Sequence, residues 1–199
     1  MLLCALLLFG QQRLLHNKND LLPVIQKTLG VSKVKVRESI MAKKKKDTME
    51  FRFYELPQGE AALVLCGESW VRVYGHEEFH LHFHNLMEIG ICRQGVGDMY
   101  FDEEVYKYHS GDITIIPENF PHVTVSDGET TNFWEYIFID LRSMIETMFP
   151  GNVAFQNDAV SSLSKRAYMT NERDNHIIAE CINGIIRETN EHKTYSQRA

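Results

Sequence analysis

Cysteine is scarce and scattered. Cys4, Cys66, Cys92 and Cys181 form no CxxC pair and no dense framework, which excludes a disulfide scaffold and points to reduced thiols in a cytoplasmic protein. No apolar run is long enough for a membrane-spanning helix. Met1 to Phe9 is almost entirely apolar but too short to span a bilayer, and it lacks both a basic flank and a small-x-small cleavage site. A helix packed on the domain or on a partner chain is expected there rather than a secretory signal. Positive charge is also short: a net charge of −6 argues against a surface built for nucleic acid. A Gly-rich phosphate cradle, a nucleophile elbow and a basic-aromatic stripe are all absent.

What the chain has in excess is histidine in one place. Six of its nine histidines fall between Gly75 and His122. Read as a strand, His82-Phe83-His84 puts both imidazoles on one face. Glu88 can return to the same side, and Gly95 marks a bend. Gly111 to His122 then supplies a further imidazole behind another strand. Three imidazoles and a carboxylate converging on one interior are a reasonable divalent transition-metal site, suited to zinc, nickel, iron or manganese. The plainer alternative is that they are polar lining of a ligand pocket, hydrogen-bonded to a small molecule or to water.

At 199 residues one domain is expected, with some appended helix. Residues 1–46 read as a helical leader ending in the basic run Lys43 to Lys46, a solvated linker. From 47 to 140 the texture is β. Short runs with strand-like alternation, such as Phe51 to Tyr54, Trp70 to Tyr74 and Phe133 to Ile139, are punctuated by Gly, Pro and Asp. Many short strands without intervening helices imply an antiparallel sandwich or barrel. Arg93 and Gln94 flank a turn and read as solvated, and His109 reads as a turn residue. From 141 to 199 the period is helical: Asp140 caps a first helix stopped by Pro150-Gly151, Ala159 to Met169 reads as a second, and Asn175 to Asn190 as a third. The third carries a continuous stripe of Ile177, Ile178, Cys181, Ile182, Ile185 and Ile186, suited to packing on its own domain or on a symmetry mate.

His76-Glu77-Glu78-Phe79-His80 matches the HExxH of zinc proteases. That chemistry needs a helix, where i and i+4 lie about 6 Å apart. On a strand they are about 13 Å apart and cannot share an ion. The alternation on either side favours extended chain and a chance match.

His82-x-His84-x3-Glu88-x6-Gly95 resembles the first cupin motif. Gly111-x5-Pro117-x-Asn119-x2-His122 resembles the second, with Asn119 where a glycine is usual and Ser126 where an asparagine is. The resemblance implies a mainly β cupin fold, a double-stranded β-helix or jelly-roll barrel, with a helical leader and C-terminal helices. It also places His82, His84, Glu88 and His122 at the four metal-holding positions. Phe51 to Pro57, His82 to Gly90, Ile116 to His122 and Trp134 to Asp140 together resemble the N-terminal sensor domain of AraC-type transcriptional regulators over about residues 49–195. That resemblance implies a non-enzymatic domain that binds a small effector such as a sugar. It also implies a homodimer through the C-terminal helix, and contact with DNA only through helix-turn-helix units outside this chain. By strand parity His80, Trp134 and Tyr136 join the expected ligand-binding residues; aromatic strand residues are otherwise plain core. The rival expectation is a metal-dependent cupin enzyme, an isomerase or dioxygenase, using the same three histidines and Glu88.

Overall fold

A computed structural model describes residues 49–75 and 80–196, with side chains through 191. The expected leader and linker, and most of the HExxH match, lie outside the described residues. In chain order the elements are β1 (Glu50–Arg52), β2 (Ala62–Leu65), β3 (Val71–Arg72), β4 (His82–His84), β5 (Met87–Gln94), β6 (Val96–Phe101), β7 (Glu104–His109), β8 (Asp112–Ile116), β9 (His122–Ser126) and β10 (Asn132–Ile139). The helices α1 (Leu141–Met148) and α2 (Val153–Leu163), strand β11 (Tyr168–Asn171) and helix α3 (His176–Ser196) follow.

The strands form two sheets, ordered β1-β4-β9-β6-β7 and β11-β8-β5-β10-β2, with β3 extending the second along β10. All the pairings are antiparallel except β1 with β4. This is the jelly-roll barrel expected of a cupin, with helices after it.

Alternation along β5, β8 and β10 explains the layering. Ile89, Ile91, Ile113, Ile115, Ile137 and Ile139 point out of the barrel. They pack with Leu141, Ile145, Val160, Leu163, Ile178, Ile182, Ile185 and Ile186 from the three helices. Cys92, Ile116, Trp134, Tyr136 and Phe138, on the other parity, point inward to a second core with Tyr74, Met99, Phe101 and Tyr108. The second sheet is therefore covered on both faces, which is why β5 and β10 read as long apolar runs. The first sheet is covered on its inner face, and its strands alternate more openly.

Asp140 caps α1 as expected, its carboxylate accepting from the Ser143 N–H at 2.9 Å. The expected helix over 159–169 is corrected: α2 starts six residues earlier, capped by Asn152, and ends at Leu163. Tyr168 to Asn171 instead adds a strand to the open edge of β8, pairing Tyr168 with Ile115 and Thr170 with Ile113. A free sheet edge outweighs the weak helical preference of Tyr and Thr. Arg93 is not solvated as expected, but half-buried against Glu135 at 2.6 Å. The apolar stripe of α3 is spent on its own domain.

Ile182 is fully buried between α3 and the sheet. Ile182→Ala should cost about 2–5 kcal/mol of unfolding free energy in urea titration, whereas Ala at the exposed neighbour Asn183 should change it by less than about 0.5 kcal/mol.

Candidate functional site

The barrel interior is filled at one end and open at the other. At the filled end Trp134, fully buried, packs edge-on against Tyr108 at 5.0 Å and stacks on Tyr136 at 6.0 Å. At the other end is a cavity of about 340 Å³. Tyr136 and Phe138 line it, as do His80, His82, Glu88, His122 and Thr124. Tyr54, Trp70, Arg52 and Arg72 complete its wall.

Each polar group at the cavity floor is placed by a short local device. β4 carries His82 and His84, and its register sets His82 beside His122 of β9, with ring centroids 4.3 Å apart. Glu88 comes from the opposite sheet, flanked by Ile116 and Phe138 across the β5 ladders. The His84 Nδ1–H donates to the Leu86 carbonyl at 2.6 Å, and the His122 Nδ1–H to the Phe120 carbonyl at 2.9 Å. A carbonyl can only accept, so both rings are fixed with Nδ1 protonated and Nε2 turned toward Glu88. Nε2 of His84 lies 3.1 Å from the Glu88 carboxylate and that of His122 lies 3.6 Å away. The second contact is too long for a hydrogen bond, leaving His122 Nε2 buried without a partner.

These three side chains offer ligand atoms within 4.8 Å of one another. Two neutral imidazoles with Nε2 lone pairs facing an ionised carboxylate would repel. A metal ion placed among the three ligand atoms would remove that repulsion. Imidazole N–H groups anchored on backbone carbonyls are the usual outer support of metal-binding histidines. The residues therefore fit a divalent metal, held by His84, Glu88 and His122. His82, the fourth residue expected at the centre, stands at the edge of this group, its ring 6.3 Å from that of His84 and its Nδ1 buried without a partner.

Burial works against ionisation of Glu88, but the facing imidazoles of His122 and His84 outweigh it and hold the carboxyl well below the usual carboxylate range. Burial, and then the charge of neighbouring His122, push the His82 imidazole down to about 2.

Of the residues expected from parity, His80 and Tyr136 line the cavity, while Trp134 lies beyond Tyr136 inside the packed end and does not reach it. Sequence reasoning missed Arg52, Tyr54, Trp70 and Arg72. Trp70, Arg72 and Tyr74 share one parity, but the alternation of this run does not say which of its two faces turns inward. Val71 is 46% exposed. Tyr54 is placed by Asn85, whose side chain accepts from the Tyr54 N–H at 2.8 Å and donates to its carbonyl at 2.9 Å. This lays the Tyr54 ring on Phe138, with centroids 4.2 Å apart.

The AraC-like ligand binding domain family matches residues 72–193, more than half of the chain. The chain belongs to this family. No curated protein matches it. Among solved structures, this AraC-like domain is similar to ToxT from Vibrio cholerae, at 14% identity over 61% of this chain and 47% of that one, with a TM-score of 0.38. It is also similar to a Cupin 2 conserved barrel domain protein from Salinispora arenicola CNS-205, at 17% identity over 50% and 67%, with a TM-score of 0.30. A third is oxalate decarboxylase of Bacillus subtilis, at 18% identity over 46% and 29%, with a TM-score of 0.28. The chain thus spans about half the length of ToxT. No described helix is long and apolar enough to cross a membrane.

The depressed His82 pKa has a signed consequence. Between about pH 6.5 and 4.5 an unfolded His82 takes up a proton that the folded one refuses, so its contribution is present above pH 6.5 and is lost as pH falls. His82→Gln should remove up to about 1.4 kcal/mol per pH unit of that slope, read from chemical denaturation of metal-free protein across this range.

Proposed function

We propose that this domain is the effector sensor of an AraC-type transcription regulator in the cytoplasm, binding a small polar molecule in the open end of the barrel. The observation that carries this reading is the cavity itself. It has the size of a small-ligand site, aromatic walls from Tyr54, Trp70 and Tyr136, and buried imidazole nitrogens of His80, His82 and His122 that lack partners. An unpaired buried polar atom costs free energy that a ligand's hydroxyl groups would recover. A sugar ring, stacked on the aromatic walls, meets both requirements.

The signal route follows from strand parity. Tyr136, Phe138 and Glu88 face the cavity, and their chain neighbours Ile137, Ile139 and Ile89 carry α1, α2 and α3 on the opposite face. An effector that favours one setting of β5 and β10 biases the helices, and through them an attached helix-turn-helix unit, by population shift. Homodimerisation through α3 would use its outer face, with Glu180, Asn183 and Arg187 exposed, since the isoleucine stripe is covered.

His84, Glu88 and His122 would hold a zinc, nickel, iron or manganese ion in the cavity floor. That same cluster favours a second reading, a metal-dependent isomerase or dioxygenase in which the ion supplies Lewis acidity or activates oxygen. Plasma spectrometry on untagged protein should find close to one divalent ion per chain, lost in His122→Ala and released in acid as the imidazoles protonate. Ligand affinity that survives complete metal removal, with no turnover by metal-loaded protein, would dispose of the enzyme.

The sensor reading is tested by closing the cavity. Thr124→Phe, from an inward position on β9, should abolish the thermal stabilisation that a bound sugar or sugar acid gives the wild type, while leaving the far-ultraviolet circular dichroism unchanged. Undiminished binding would place the effector elsewhere.

A further inference from the structure

The chain as a whole is acidic, but the wall of the cavity is not. Arg52 and Arg72 both line it, and Glu88 is the sole carboxylate among its described lining residues. Glu88 is itself engaged by the imidazoles beneath it. With the lining histidines neutral, the cavity carries one positive charge in excess, within a chain of net charge −6. A bound divalent ion would add to that excess.

Arg72 is the more telling of the two. No carboxylate among the described residues pairs with it. It is held instead by aromatic faces, its guanidinium carbon 5.0 Å from the Trp70 ring centre and 4.8 Å from that of Tyr74. Stacking of this kind fixes the plane of the guanidinium and leaves N–H groups beyond the one shared with the Tyr74 hydroxyl for a ligand. Arg52 does pair, but with Glu50 at 2.7 Å in a contact exposed on both sides, which is weak and easily exchanged. A pre-oriented guanidinium at a cavity mouth, above unpartnered imidazole nitrogens, suits a ligand with an anionic group at one end and hydroxyl groups at the other.

We propose that the effector is an acid of monosaccharide size, its carboxylate or phosphate held by Arg72 with help from Arg52, and its hydroxyl-bearing body lying between Tyr54, Trp70 and Tyr136. This deepens the sensor reading and rests on it. A neutral sugar would leave the Arg72 guanidinium without an anion at the cavity wall.

The test is calorimetric titration of the full chain with D-galacturonate and D-glucuronate, with galactose 1-phosphate and glucose 6-phosphate, and with neutral D-galactose and D-glucose. At least one acid should bind about tenfold or more tightly than its neutral parent, and that affinity should fall as sodium chloride rises. The uronate and phosphate arms decide which anion is meant. Arg72→Met, which keeps the packing on Trp70 and Tyr74, should weaken the acid at least about tenfold and the neutral parent hardly at all, with Arg72→Lys recovering part of the loss. Neutral sugars binding as well as their acids, no acid binding at millimolar concentration, or equal effects of Arg72→Met on both classes would each overturn the proposal. Binding of neutral sugars alone, abolished by Thr124→Phe, would leave the sensor intact and remove only the anion. Acid binding that Thr124→Phe leaves unchanged would sink the sensor reading with it.

Discussion

The interaction on which this molecule turns is the meeting of Glu88 with the Nε2 atoms of His84 and His122 across the barrel interior. The carboxylate comes from one sheet and the imidazoles from the other, so the contact exists only when the barrel has closed. Neither sheet can slip by one residue without turning these groups to the wrong side. A buried carboxylate facing imidazoles is a poor source of stability compared with apolar packing of the same volume. Around it, however, stand two continuous apolar cores, one inside the barrel and one between the barrel and the helices. The fold is secured by those cores, and the polar cluster is carried by them.

The two cores share strands, and this couples the cavity to the helices. Along β10 the residues Trp134, Tyr136 and Phe138 form an inward aromatic ladder, while Ile137 and Ile139 lie under the helices. Packed interiors do not deform gradually. A change in the setting of Tyr136 or Phe138 therefore has to be met by rearrangement on the other face. β11 strengthens the link: it joins the second sheet through β8 and leads within five residues into α3.

Much of this was legible in the sequence because it rests on period and spacing. The alternation through His82, His84, Trp134 and Tyr136 identifies inward positions without coordinates, and glycine, proline and aspartate turns bound the strands. What escaped was decided by tertiary context. β11 forms because β8 offers an open edge, which no local propensity announces. Trp134 and Tyr136 have equal parity, yet one lies in the packed end and the other on the cavity, since depth along a barrel is not written in a period of two. The Trp70-Arg72-Tyr74 face shares its run with Val71 and Val73, and alternation alone does not choose which face turns inward; Val71 lies at an exposed edge.

Two departures from the cupin pattern show how one end of the barrel is sealed while the other stays polar and open. Asn119 stands where a glycine is usual and adopts the glycine-like backbone, with φ of 59°, which asparagine tolerates better than most residues. Its N–H donates to the His84 carbonyl at 2.7 Å, so the turn still ties down the strand that carries the imidazoles. Ser126, in an asparagine's place, is supported from β10 of the opposite sheet by Asn132. The Asn132 side chain accepts from the Val96 N–H at 2.8 Å and donates to Ser126 and to the Tyr108 hydroxyl at 3.0 Å. The Ser126 hydroxyl in turn accepts from the Tyr74 N–H at 2.9 Å. Even the approach of Gly95 is used, for a Cβ there would sit 1.5 Å from the Asn132 oxygen. The groups of this asparagine network are thus satisfied within the chain, whereas the cavity-lining imidazoles of His80, His82 and His122 each keep a buried nitrogen without a partner. Buried nitrogens left unpaired on the wall of a cavity, beside a network that pairs its own, are positioned for the polar groups of a ligand.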